Sequence, residues 1–247
     1  MVNGLTDRNM TANKLRFAPY SHSKLGTYST CPRKFKYSVI DKAPRDPSPT
    51  EALTKGRAVH RLLEKYPEVP DSIATTADQA DHQNIVRQFA NSSLGQKYLH
   101  EGQSCRELKF GLTRDFEPTS YYDRDAMFRG SIDYVLRHGD QLHLIDWKTG
   151  KAKDQRWQEY DQLIRYAVYF FVRFPSIQDI RISYVYVEHD DHENPMVLSR
   201  KYLDKYKSDL ADKIQECEED TEFPKTPNKL CDFCDFRTHC STDSTDR

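Results

Sequence analysis

The tightest constraint on this chain is a short hairpin that would set two carboxylates side by side with a lysine next to them. Met127 to Arg137 alternates Phe128, Ile132, Tyr134 and Leu136 against Ser131, Asp133 and Val135, and Leu142 to Lys148 has the period of a second strand. Between them lies His138-Gly139-Asp140-Gln141. A two-residue turn with glycine first favours type II′, and that register places Asp133 directly opposite Asp146.

Directly opposed residues on antiparallel strands have Cβ atoms about 5 Å apart, a spacing at which like charges repel. A divalent cation turns that repulsion into a binding site. Lys148 follows Asp146 by two residues, so it leaves the same face about 6–7 Å further along. The apolar neighbours Leu144, Ile145 and Trp147 argue that this is not merely a solvated polar face.

With 247 residues, the chain can bury one substantial core, or one core with a small appended lobe. A formal net charge of -1 gives no global electrostatic sign of nucleic-acid binding, so such contacts need local patches. No signal-like pattern opens the sequence and no apolar run approaches membrane-spanning length. A soluble, cytoplasmic protein without membrane association is expected. Its six cysteines then read as metal or cluster ligands before disulfides. Cys231, Cys234 and Cys240 supply three thiolates from one compact stretch, and Cys31 is the leading candidate for a fourth. Spacing alone leaves zinc and an iron–sulfur cluster both open. Cys105 and Cys217 read as ordinary buried or half-buried thiols.

The order of elements is that of an α/β protein. Residues 1–20 read as a flexible leader, 21–240 as one domain and 241–247 as a flexible tail. Ser21 or Ser23 caps a short helix ending at Cys31-Pro32, residues 43–49 form a proline-rich loop, and a helix covers about 50–66. A loop over 67–76 precedes a polar helical arm over 77–99, and a strand over 104–113 carries Glu107. The clearest helix runs from Trp157 to Phe174, with Leu163, Tyr166, Ala167, Phe170, Phe171 and Phe174 on one apolar face and Gln162 one turn from Tyr166. A strand over 180–188 and a charged helix over 198–219 complete a mixed sheet flanked by helices. No GxxxxGK[ST] motif is present, so helicase or ATPase activity would belong to another chain.

Six motifs occur in a recognisable order: Ser23-x-Leu25-x2-Tyr28-x2-Cys31-Pro32, Gly56-x3-His60, Gly130-Ser131-Ile132-Asp133, Asp146-Trp147-Lys148-Thr149-Gly150, Gln162-x3-Tyr166 and Cys231-x2-Cys234-x5-Cys240. In that order they resemble the RecB-like branch of the PD-(D/E)xK nucleases, close to cluster-bearing CRISPR-associated exonucleases and AddB-type nuclease domains. The resemblance implies a restriction-endonuclease-like mixed central sheet whose N- and C-terminal segments are joined by a cysteine-ligated cluster. It further implies that His60, Asp133, Asp146 and the Trp147 carbonyl hold a catalytic Mg²⁺ or Mn²⁺, with Lys148 beside the attacking water and Gln162 and Tyr166 at the scissile strand. Glu107 stands where that branch often has a glutamate on a neighbouring strand. The same resemblance favours a [4Fe-4S] cluster on Cys31, Cys231, Cys234 and Cys240.

The expected activity is metal-dependent exonucleolytic hydrolysis of DNA in repair or recombination, acting on single-stranded ends and working with a helicase or recombination partner. An endonuclease is the alternative within enzymes. A catalytically silent DNA-binding or scaffold module with a four-cysteine metal site is the alternative outside them.

Overall fold

The computed structural model describes residues 16–46, 51–67, 77–100, 103–189 and 192–242. Its helices are α1 (His22–Thr30), α2 (Pro32–Phe35), α3 (Glu51–Glu64), α4 (Ala77–Asn91), α5 (Ser93–Leu99), α6 (Asp161–Arg173), α7 (Leu203–Glu219) and α8 (Arg237–Thr242). Six strands, β1 (Gln103–Leu112), β2 (Pro118–Thr119), β3 (Phe128–His138), β4 (Gln141–Lys148), β5 (Asp179–Tyr186) and β6 (Glu193–Ser199), form one mixed sheet in the order β2-β1-β3-β4-β5-β6. All neighbours are antiparallel except β4 and β5, which run parallel because α6 carries the chain across between them. This is the expected mixed α/β architecture. Much of the 67–76 loop and most of the leader lie outside the described residues.

The sheet separates two apolar layers. On one side Leu25, Tyr28 and Phe35 join the α6 residues Leu163, Ala167, Phe170 and Phe171 and the α7 residues Leu210 and Ile214. The other side is a smaller core in which Val59 and Leu63 of α3, Val86 and Phe89 of α4, and Leu94 and Tyr98 of α5 cover Ile145, Trp147 and Val185. The residues read as one polar arm over 77–99 are thus two helices packed on the sheet. They break at Ser92, whose hydroxyl accepts from Gly95 N–H and starts α5. The break requires Gly95: a Cβ there would stand 1.8 Å from the Phe89 carbonyl oxygen.

The hairpin keeps the expected register through Val135 opposite Leu144 and Tyr134 opposite Ile145, but the ladder stops there, one rung short of the expected side-by-side pair Asp133 and Asp146. Gly139 has φ +59, the left-handed backbone that the first position of a type II′ turn demands. The simple alternation along β3 does not hold, however. Ile132 belongs to the larger core and Tyr134 to the smaller, so the period slips at Asp133. The same rung slips in β1, where Leu108 packs with the larger core while the Arg106 guanidinium lies over the Tyr134 ring. Glu107 adopts φ +48 there, and the β1–β3 ladder skips the rung that Glu107 and Asp133 would share.

Other boundaries shift for local reasons. The helix expected from Trp157 begins at Asp161, because Gln155–Trp157 is a separate 3-10 turn capped by Asp154. The helix expected from 198 begins at Leu203; its first residues belong to the edge strand β6. The leader's last residues are not loose. Phe17 and Tyr20 are buried, and Tyr20 bonds by its backbone to Met127 and Arg129 at the start of β3. At the tail, Ser241 and Thr242 continue α8, and 243–247 lie outside the described residues. Cys217 is buried as expected, whereas Cys105 is exposed on β1.

Two glycines make opposite demands. Gly95→Ala is expected to cost about 1–3 kcal/mol by driving its methyl into the Phe89 carbonyl. Gly26, inside α1, has no atom within 4 Å of a built Cβ. Gly26→Ala should add up to about 1 kcal/mol by lowering the freedom of the unfolded chain. Chemical denaturation of both variants checks the pair, and equal effects would contradict this packing.

Candidate active site

The slipped rung is where the sheet presents its acids. The β3–β4 ladder ends at Tyr134 and Ile145, and beyond it the Asp133 carboxylate takes over: its Oδ2 accepts the Trp147 backbone N–H at 2.8 Å. A strand residue points its N–H and C=O to the same side, so the Trp147 carbonyl also faces β3, past the last ladder bond. The other Asp133 oxygen lies 3.2 Å from His60 Nδ1 on α3. Ligand atoms of His60, Glu107 and Asp133 all fall within 4.8 Å of one another, the one such group among the described residues.

Asp146 approaches from the other layer. It is 4% exposed, and Gln162 Nε2 on α6 donates to its Oδ1 at 2.7 Å. Its buried Oδ2 accepts no aligned hydrogen bond and meets the Lys148 ammonium at 2.5 Å as an ion contact. Lys148 in turn reaches Gln162 Oε1 at 3.4 Å and stands 4.5 Å above the Tyr184 ring. Gln162 therefore bridges the acid and the base, and its amide lies 3.5 Å from the Tyr166 hydroxyl. Tyr166 itself is buried, edge-on to Phe110 beneath Gly130, where a Cβ would collide with both rings. The core reading of Tyr166 and its place beside Gln162 both hold.

Burial and crowding set the electrostatics of these acids, against which Lys148 and His60 are the nearby cationic groups. Burial and the Asp133 charge together hold the Asp146 carboxyl well above the ordinary carboxylate range. Burial, with Asp133 adding, raises Glu107 as well, even though Ser131 Oγ donates to it at 3.0 Å. Burial alone would lower His60, but the Asp133 hydrogen bond and charge outweigh it and leave the imidazole above its usual value.

These donors suit a hard divalent ion. An octahedral Mg²⁺ or Mn²⁺ with ligands at about 2.1 Å sets adjacent ligand atoms roughly 3 Å apart, close to the His60–Asp133 separation. Asp146 gives a further hard oxygen donor, and the imidazole makes Mn²⁺ more favourable. Asp146 stands outside the tight His60, Glu107 and Asp133 group, and Glu107 stands inside it.

Several supports were not evident in the sequence. A Cβ on Gly56 would lie 3.2 Å from Thr149 Oγ1, so this glycine lets α3 bring His60 against the strand carrying Lys148. Its position one turn before His60 was the available signal. His22 hydrogen-bonds Arg165 at 3.1 Å, and burial, then the Arg165 and Lys148 charges, lower it to about 4. No spacing rule links residues so far apart.

The four cysteines converge where the N- and C-terminal segments meet. Cys31, Cys231, Cys234 and Cys240 line one cavity of about 260 Å³ together with Arg33 and Arg237. No three of their sulfurs come within 4.8 Å of one another. Four thiolates on a single tetrahedral zinc at 2.3 Å would sit about 3.8 Å apart, whereas a cubane spreads its thiolates over four irons. Either a zinc ion or a cluster would draw on these four thiolates. Asn228 N–H also points at Cys231 Sγ at 3.3 Å, the kind of donor that steadies a ligating sulfur.

Among known proteins, the fold is shared with the crystal structure of a "putative exonuclease" from Eubacterium rectale, at a TM-score of 0.53 and 13% identity over 94% of this chain and 98% of that one. A looser likeness, to the structure of SSO0001, has a TM-score of 0.39 and 12% identity over 87% and 84% of the two chains. No curated protein matches. The profile of the PD-(D/E)XK nuclease superfamily matches residues 19–241, nearly the whole chain, and the protein belongs to that superfamily.

Proposed function

We propose that the protein is a divalent-metal-dependent DNA exonuclease of the RecB-like branch, acting on single-stranded ends. The observation that carries the catalytic reading is the grouping of His60, Glu107 and Asp133 at one skipped rung, with the buried Asp146 and its half-buried ion partner Lys148 on the adjoining strand. His60, Asp133, Asp146 and the Trp147 carbonyl would hold Mg²⁺ or Mn²⁺, and Glu107 joins them on its distance. A metal bound there would supply Lewis acidity at the phosphoryl oxygens and lower the pKa of a bound water.

The protein's own groups do the positioning. Asp146 orients Lys148 through their 2.5 Å contact; the Lys148 ammonium would hold the water facing the phosphorus, and as the free amine it would accept that water's proton. Gln162 fixes both partners at once, so it contributes by aligning acid and base before touching any substrate. Tyr166 backs Gln162 from below. A silent scaffold gives no chemical reason to keep a buried Asp146 paired with Lys148 beside the His60, Glu107 and Asp133 group.

The second part of the reading is a [4Fe-4S] cluster on Cys31, Cys231, Cys234 and Cys240; the motif order favours it, and the four cysteines line one cavity. It would be structural. The N- and C-terminal segments already meet through Arg33 Nε to the Phe223 carbonyl at 2.8 Å and the stacked Phe35 and Phe223 rings. The cluster adds a covalent clasp to that junction, closing a loop of about 200 residues. A helicase or recombination partner would supply unwound ends.

Cleavage of linear DNA should require added Mg²⁺ or Mn²⁺ and vanish on Asp146→Ala or Lys148→Ala with the fold intact by circular dichroism. Linear and circular single-stranded substrates, each end labelled, separate exonuclease from endonuclease. Full cleavage by Asp146→Ala would sink the catalytic reading.

Protein purified without oxygen should be brown and carry iron and sulfide. Cys31→Ala should destabilise it as much as Cys234→Ala, since either opens the same clasp. Stoichiometric zinc without iron or sulfide would refute the cluster.

A further inference from the structure

The chain has two tryptophans, and they are placed oppositely: Trp147 is buried beside the acids, while Trp157 is 76% exposed. An indole left in water on a loose loop would mean little, but this one stands on a pinned turn. Its N–H bonds the Asp154 carbonyl at 2.9 Å, and Gln155 Nε2 donates to the Pro195 carbonyl at 2.9 Å. The Lys153 carbonyl accepts from Asn194 Nδ2 at 2.8 Å, and Gln158 Oε1 accepts from the Tyr186 hydroxyl at 2.8 Å. The stretch from Lys148 to Trp157 carries Lys148, Lys151, Lys153 and Arg156 against one carboxylate, Asp154, in a chain whose net charge is only -1.

A second exposed aromatic ring, Tyr122, is 72% exposed between β2 and β3. Its turn is also anchored: Tyr122 N–H donates to Ser120 Oγ at 3.2 Å, and Arg129 holds the Asp123 carbonyl at 2.7 Å. Its neighbour Tyr121 lies beneath the Arg129 and Lys109 cations.

The topology relates the two rings to the site. The β2–β3 connection enters the start of β3 and the β4–α6 connection leaves the end of β4, so in this antiparallel pair both emerge at one end of the sheet. Tyr122 lies on the β1–β2 side, whereas the Trp157 turn is bonded to β5 and β6. Asp133 and Asp146, on β3 and β4, fall between them.

We propose that Trp157 and Tyr122 are stacking platforms for unpaired bases on either side of the catalytic centre. This specifies the substrate contacts of the function proposed above and rests on that reading. Stacking needs a free base face, which a single strand offers and a duplex hides within its own stack. The flanking cations would meet the backbone phosphates with no sequence preference. Rings on pinned turns lose little freedom on binding, which favours affinity.

The test uses the full chain with chelator, which halts cleavage, and a labelled oligothymidylate beside a blunt duplex. The oligomer should quench the exposed tryptophan emission, and the duplex should not. Trp157→Ala and Tyr122→Ala should each weaken oligothymidylate binding about five-fold or more, Trp157→Phe should retain most of the affinity, and duplex binding should not change. With Mn²⁺, the alanine variants should raise KM for single strands and keep kcat. Alanine variants that bind the oligomer as tightly as the parent, or a parent that does not bind it, would overturn the proposal. Quenching and weakened binding in a protein that cleaves nothing with Mn²⁺ would instead remove only the catalytic reading.

Discussion

Everything at the candidate site depends on one substitution of partners: the Asp133 carboxylate takes the Trp147 N–H where the β3–β4 ladder stops. That hydrogen bond turns Asp133 out of the alternating pattern, so its side chain serves neither apolar layer. Glu107 leaves the neighbouring strand at the same rung with left-handed backbone, a conformation that costs about 1–3 kcal/mol for a residue with a side chain. The strain is explained if both acids are needed at one point, where His60 can reach them from α3.

The arrangement also explains why the site has two halves. His60 comes from the layer of α3, α4 and α5, and Gln162 comes from α6 on the opposite face. Asp133 and Asp146 are next-door groups on the central hairpin, each steadied from a different side. Repulsion between them and burial push Asp146 towards protonation, and a divalent cation would relieve both effects. The two aromatic turns stand outside this polar centre, on the loops that the sheet's topology gathers at the same end.

Particular residues show what could be read from the chain alone. Gly139 fixed the turn and hence the register, and the 3.6-residue spacing of Leu163, Tyr166, Ala167 and Phe170 identified the buried face of α6. Motif order singles out Gln162, but sets it at the scissile strand; its hydrogen bond to Asp146 comes from the fold. The period slip was hidden because no residue type at Glu107 announces left-handed backbone. Strand β6 escapes the sequence reading, which takes only its last two residues into a helix, because Asn194-Pro195-Met196 lacks alternation; its identity comes from pairing with β5. The α4–α5 break depends on a Ser92 cap and a glycine contact that a run of polar residues disguises. The convergence of Cys31 with Cys231, Cys234 and Cys240 on one cavity is a tertiary property that no count of intervening residues contains.

The central claim is that Asp133, turned out of the ladder, shares one cation with His60 and Asp146. Thermal melts with chelator and with Mn²⁺ test it directly on the parent and on Asp133→Asn, which keeps the side chain's shape and removes one charge. A ligand that binds only the folded state stabilises it by about 2.7 kcal/mol at a hundred times its Kd. The account predicts a clear Mn²⁺-dependent rise in the melting temperature of the parent and loss of most of that rise in Asp133→Asn. A variant stabilised by Mn²⁺ as much as the parent would mean that the two acids do not share an ion.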